Sequence, residues 1–153
     1  MNKQLAAESL DILYRGITLR VNIPDYNLPE ALDLLVQGEG VEEVADYEIK
    51  ILRGYLKNFR HVILYPWLDE AYAVECLKEL LHLICDVYDL PGRTVEVQLD
   101  TYKNEPCCFD DVFEVLKEYG GKSTEITIED CTLNVGESTV KDFCANFGFT
   151  FID

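Results

Sequence analysis

Positive charge is what this chain has least of. Thirteen Lys and Arg stand against 29 Asp and Glu, a formal charge of -16 with a pI near 4.3. That balance excludes the basic footprint on which binding to nucleic acid or an anionic membrane depends. Histidine is scarce at two residues, and the six cysteines form no C-x-x-C pair and no Cys/His spacing of the zinc-finger type, so no structural zinc is expected. G-x-S-x-G, G-x-x-x-x-G-K-[ST] and G-x-G-x-x-G are all missing; Gly38-Glu39-Gly40 is a fragment of a phosphate loop and no more. The acid pairs Asp69-Glu70, Asp110-Asp111 and Glu129-Asp130 lack EF-hand spacing. The expectation is a protein without catalytic centre, metal or cofactor. Long apolar runs are absent too: His61 to Tyr65 and Leu80 to Cys85 fall far short of the ~20 residues that span a bilayer. Residues Met1 to Glu8 have no apolar core with a small-residue cleavage site, which points to the cytoplasm. There is no low-complexity tract, linker or repeat of fixed period.

What the chain does hold is core material. Of its 153 residues 48% are hydrophobic, with 9 Tyr, 7 Phe and 1 Trp, enough for one domain over residues 1–153 to bury roughly 68–70% of its unfolded surface. Apolar spacing predicts helices over Gln4–Tyr14, Pro29–Val36, Val41–Asn58, Asp69–Tyr88, Phe109–Tyr119 and Ser138–Phe147. Between them Ile17, Leu19, Val21 and Ile23 alternate with Thr18, Arg20 and Asn22. Val95, Val97 and Leu99 alternate likewise with Thr94, Glu96, Gln98 and Asp100, and Ile126 and Ile128 with Glu125 and Thr127. Period two with one polar face means half-exposed strands. His61–Tyr65 is continuously apolar and is expected as a central strand covered on both faces, and residues 148–153 supply a short last strand. Strands with one wet face favour a two-layer α/β (α+β) sandwich: a mixed sheet of about five strands with helices mainly on one side.

The acid is unevenly spread. Residues 1–60 carry 7 bases and 10 acids, net -3, whereas residues 61–153 carry 6 bases and 19 acids, net -13. Strand alternation puts Glu96, Asp100, Glu125 and Glu129 on one solvent face with Asp130 at its rim, and Asp110, Asp111, Glu114 and Glu118 on the intervening helix. A field of this kind repels nucleic acid and steers a basic protein surface toward it in a salt-dependent way. Tyr47, Tyr55, Tyr72, Tyr102 and Tyr119 are interleaved with the acids and are expected chiefly at core edges, where some can add apolar area to such a patch. In size, charge and lack of catalytic signature the chain is similar to the small acidic antirestriction and anti-CRISPR inhibitors. This similarity is one of type and carries no residue over. It implies an inhibitor that presents a DNA-like negative surface to a nuclease or other nucleic-acid-handling protein; an immunity protein neutralising a basic nuclease toxin would use the same electrostatics.

Sulfur chemistry is the alternative from another class. Pro106-Cys107-Cys108-Phe109 precedes a helix, and thiols at helix N-termini have lowered pKa values. Residues 95–153, drawn as strand, helix, strand, helix, strand, resemble the small sulfur carriers of the TusA type. The resemblance implies a reactive thiol at Cys107 or Cys108, although the Cys-Pro-x-Pro motif of that family is not present. Two half-buried small residues at a helix start are the plainer reading. His82, with Glu79 and Asp86 at helical spacing, is expected in a surface ion pair and not as a base.

Overall fold

In the computed structural model, which describes residues 2–23, 28–37, 45–67, 71–99, 109–122, 124–130 and 137–152, strands and helices alternate almost without exception. Helix α1 (Lys3–Gly16) leads into β1 (Thr18–Ile23), followed by α2 (Leu28–Gln37), α3 (Ala45–Asn58), β2 (His61–Pro66) and α4 (Ala71–His82). Then come β3 (Thr94–Leu99), α5 (Phe109–Lys117), β4 (Glu125–Asp130), α6 (Glu137–Phe147) and β5 (Thr150–Ile152). The Asn2 side chain caps α1 by accepting from the Gln4 amide at 3.0 Å.

The five strands lie in the order β1-β2-β3-β4-β5, and every neighbouring pair is parallel. The sheet is therefore uniformly parallel and not mixed. The physical reason is the connections: a helix separates each strand from the next, and such crossovers return the chain in the same direction, whereas a hairpin turn would reverse it. Crossovers between parallel strands are almost always right-handed, so stepping in one direction across the sheet stacks all the connecting helices on one face. The burial pattern agrees. Val62, Leu64, Val95, Val97, Leu99, Ile126 and Ile128 are buried against the helices, while the alternate residues of the same strands are exposed or half-buried. Two layers with one open sheet face follow directly.

That alternation corrects one expectation. β2 is not covered on both faces: Val62 and Leu64 are buried, but Ile63 and Tyr65 are only half-buried. An apolar run of five residues looks two-sided, and here its second set of side chains lies on the open face beside its neighbours in register.

The core is one contiguous cluster centred on α4, whose Ala73, Val74, Cys76, Leu77, Leu80 and Leu81 are buried. The expected single helix over Asp69–Tyr88 departs from α-geometry in its last turns. Leu83–Val87 form a π-helical turn, closed by the Tyr88 amide donating to the Leu83 carbonyl at 2.7 Å. Beyond it Pro91 and Gly92, the latter at φ 74°, turn the chain so that Arg93 points back inside.

Arg93 is 1% exposed. Its Nε donates to the Phe59 carbonyl at 3.1 Å, Nη1 to those of Ile84 at 3.2 Å and Tyr88 at 3.1 Å, and Nη2 to that of Leu56. These carbonyls belong to the C-terminal ends of α3 and of the α4–π segment, where helices leave acceptors without intrahelical donors and carry partial negative charge. One buried guanidinium thus ties two helix ends together beneath the sheet. Burial lowers its pKa from the ordinary value.

Candidate protein-binding face

The open face is read most simply from the register. One row across the strands is Thr18, His61, Thr94 and Glu125; the next is Arg20, Ile63, Glu96, Thr127 and Thr150. In a third, Asn22 lies beside Tyr65, and Gln98 beside Glu129 and Ile152. With strands ~4.8 Å apart the platform is roughly 19 Å across, and its rows are ~6.6 Å apart along the strands.

Its two halves differ in chemistry. On the β3–β4 side Gln98 bridges two carboxylates, its Nε2 donating to Glu96 Oε1 at 2.8 Å and Glu129 Oε2 at 3.0 Å. Glu129 has a raised pKa, chiefly because a hydrogen bond with Glu96 favours its protonated form, with desolvation and the Glu96 charge adding to this and the Gln98 bond opposing it. Glu125 lies on the same face and is exposed. On the β1–β2 side the Arg20 guanidinium sits over the Tyr65 ring at 4.9 Å. Tyr65 meets Trp67 edge-on at 6.3 Å, and His61 Nδ1 lies 2.8 Å from Thr94 Oγ1. Sequence reasoning put Arg20 on the wet side of β1 without joining it to this face, and missed Tyr65 and Trp67. The signal available was parity: once β1 and β3 are read as one-sided, the odd-numbered residues of β2 share their wet side.

The structure brings together Glu96, Glu125 and Glu129 among the expected acidic residues. It places Asp110, Asp111 and Glu114 elsewhere, exposed on the solvent side of α5, with Glu118 exposed in the turn just after it. The opposite side of α5 buries Val112, Phe113 and Leu116 in the core. Because α5 belongs to the helical layer, the expected single acidic field is two fields that look in different directions. Asp130 ends β4 opposite Leu99 in register; its side chain, like Asp100, Tyr102, Cys107 and Cys108, lies outside the described residues. Tyr119 is buried, and Tyr55 and Tyr72 are exposed.

Among the described residues, His82 and three of the cysteines have plain structural surroundings. His82 Nδ1 is 3.1 Å from Asp86 Oδ2, and Lys122 Nζ is 3.1 Å from Asp86 Oδ1. These partners, Lys122 first, hold the Asp86 carboxyl below its usual range. Cys76, Cys85 and Cys144 are free and buried; burial pushes the last two up to about 11, far from the range in which a thiol is nucleophilic at neutral pH. Among the described residues no three or more of His, Cys, Asp and Glu are gathered as a metal cage, and no helix is long and apolar enough to cross a membrane. Compared with protein-family models, with curated proteins and with solved structures, the chain has no match.

What the geometry defines is an α/β sandwich with a sheet face that none of the described helices covers. Doubly wound sheets bind ligands in the crevice where strand order reverses. Here the order of the described strands never reverses. The open face of the described strands is instead a platform of side chains without such a crevice.

Proposed function

We propose that this chain is a non-enzymatic interaction protein that docks a basic surface of another protein on its open sheet face. By occupying that surface it keeps the partner, a nuclease or other nucleic-acid-handling protein, from its substrate. The observation that carries the reading is the polarised platform: Glu96, Glu125 and Glu129 on one half, Arg20, Tyr65 and Trp67 on the other. Aromatic side chains supply buried contact area and orientation, and carboxylates select cationic partners. The split of the acid favours contact across a face over mimicry of a continuous phosphate track, with the α5 acids acting at longer range on the encounter rate. Three buried, unpaired thiols fit a reducing compartment and support a cytosolic setting.

The test is binding to a purified partner, first captured at low salt and identified by mass spectrometry, then measured by titration calorimetry over a salt series. Combining Glu96→Gln, Glu125→Gln and Glu129→Gln is expected to weaken binding about tenfold or more and to flatten its salt dependence. Neutralising Asp110, Asp111, Glu114 and Glu118 is expected to act chiefly on the association rate. Unchanged affinity in the open-face variant would sink the proposal.

A further inference from the structure

Helix α1 carries a largely exposed stripe with leucine and isoleucine along it, and among the described residues none of it is buried. Leu5, Ile12 and Leu13 are 58%, 71% and 50% exposed. The opposite side of the helix holds it in place: Tyr14 meets Phe59 edge-on at 5.0 Å, and Asp11 lies 3.8 Å from Arg60. The outward stripe runs Leu5, Ser9, Ile12, Gly16, spacings of four, three and four, which repeat along one side of a helix as the seam of a coiled coil does.

This stripe is complementary to itself. Laid antiparallel against a second copy, with Ser9 opposite the other Ile12, it also sets Leu5 opposite the other Gly16, so that large meets small at each layer. Both small positions are suited to it. A Cβ on Gly16 would meet nothing within 4 Å, leaving room for a leucine, and the Ser9 hydroxyl already donates to the Leu5 carbonyl at 2.7 Å, so covering it strands no donor. The same register puts flank against like flank, bringing Glu8 of each copy beside Arg15 of the other; Arg15 is held 2.9 Å from Asp11 on that flank, leaving the other donors of its fork for a second carboxylate. We propose that two copies of this chain associate through α1 in that antiparallel register.

The helix is 14 residues long, ~21 Å, and a pair of such helices buries less than the roughly 1,200 Å² of a standard interface. The association is therefore weak, in the micromolar to millimolar range. Because each copy carries a formal -16, rising salt screens their repulsion and strengthens the dimer, opposite to its effect on docking a basic partner.

Sedimentation equilibrium of the full chain across that concentration range, at low and at high salt, should show the mass rising from 17.5 kDa towards twice that, more readily at high salt. Ile12→Glu should abolish the rise without moving the unfolding midpoint, since Ile12 is largely exposed in the single copy. Glu8→Arg and Arg15→Glu should each weaken self-association about threefold to tenfold, and a mixture of the two should form a heterodimer with both ion pairs restored. A mass of 17.5 kDa throughout, a dimer indifferent to Ile12→Glu, or a mixture no tighter than its separate components would each overturn the proposal.

Discussion

Replacing Arg93 by Met tests whether carbonyl acceptors can hold a buried cation to which, among the described residues, no carboxylate is hydrogen-bonded. The side chain is 1% exposed and donates to four backbone carbonyls from two stretches of chain. Methionine keeps much of the apolar stem and removes every donor. A buried acceptor left unsatisfied costs about 1–3 kcal/mol. The Tyr88 site is only partly buried and can recover water, so three carbonyls bear the loss, about 6 kcal/mol in all at the middle of that range. Removing a desolvated charge returns about 2 kcal/mol of it, leaving a net destabilisation of about 4 kcal/mol. Against a total stability of roughly 5–15 kcal/mol that is large, and at ~2–4 °C per kcal/mol for a chain of this size it lowers the melting temperature by about 8–16 °C. Urea unfolding followed by far-UV circular dichroism is the assay. The midpoint should fall with an unchanged slope, and Arg93→Lys, which keeps the charge but cannot fork to both helix ends, should recover less than half the loss. A variant within about 0.5 kcal/mol of the parent, the ordinary scatter for inconsequential substitutions, would refute the reasoning and show that the cost of burying the cation cancels its bonds.

Three further outcomes follow from the same geometry. A carboxyl whose pKa is raised by folding binds its proton more tightly in the fold, so its contribution is fully present below the unfolded pKa of about 4.3 and is lost as pH rises through the raised value. Glu129 is such a group; Glu129→Gln should raise the melting temperature at pH 7 and leave it unchanged near pH 3.5, as scanning calorimetry at the two pH values would show. Iodoacetamide at pH 7.5 should leave Cys85 and Cys144 unmodified in the native protein and modify both in urea, read by peptide mass spectrometry; rapid native labelling at either would contradict the burial that raises their pKa values to about 11. Gly54→Ala, in the interior of α3 with nothing within 4 Å of the new Cβ, should stabilise by about 0.5–1 kcal/mol. Gly120→Ala, whose Cβ would collide with the Phe147 carbonyl oxygen, should destabilise by about 1–3 kcal/mol; urea midpoints compare the two.

The order of elements and the one-sided sheet could be read from the chain because they rest on local periodicity. Leu19, Val21 and Ile23 against Thr18, Arg20 and Asn22 declare a wet face within six residues, and the same holds for Val95 to Leu99. Strand direction does not reside in any such window, since a strand's own alternation is the same whichever way its neighbour runs; only the helix between each pair implied the parallel sense. The site was half readable for the same reason. Glu96, Glu125 and Glu129 each lay on the polar alternation of its own strand and came together, but the α5 acids shared only a region of sequence, and their side of the sheet is set by the crossover. Arg93 gave no sign at all. Its partners, Leu56, Phe59, Ile84 and Tyr88, are carbonyls, and a backbone acceptor looks the same beneath every residue.

The sequential strand order has a consequence for how such a molecule can vary. In a sheet numbered β1 to β5 from edge to edge, each strand is paired only with those before and after it in the chain. A strand and its helix can thus be gained or lost at either end without rethreading the others, as in stacked repeat proteins. Every such event changes the width of the open face by one strand, ~4.8 Å. Relatives of different length should differ first in how large a footprint they can cover, and only afterwards in what they recognise within it.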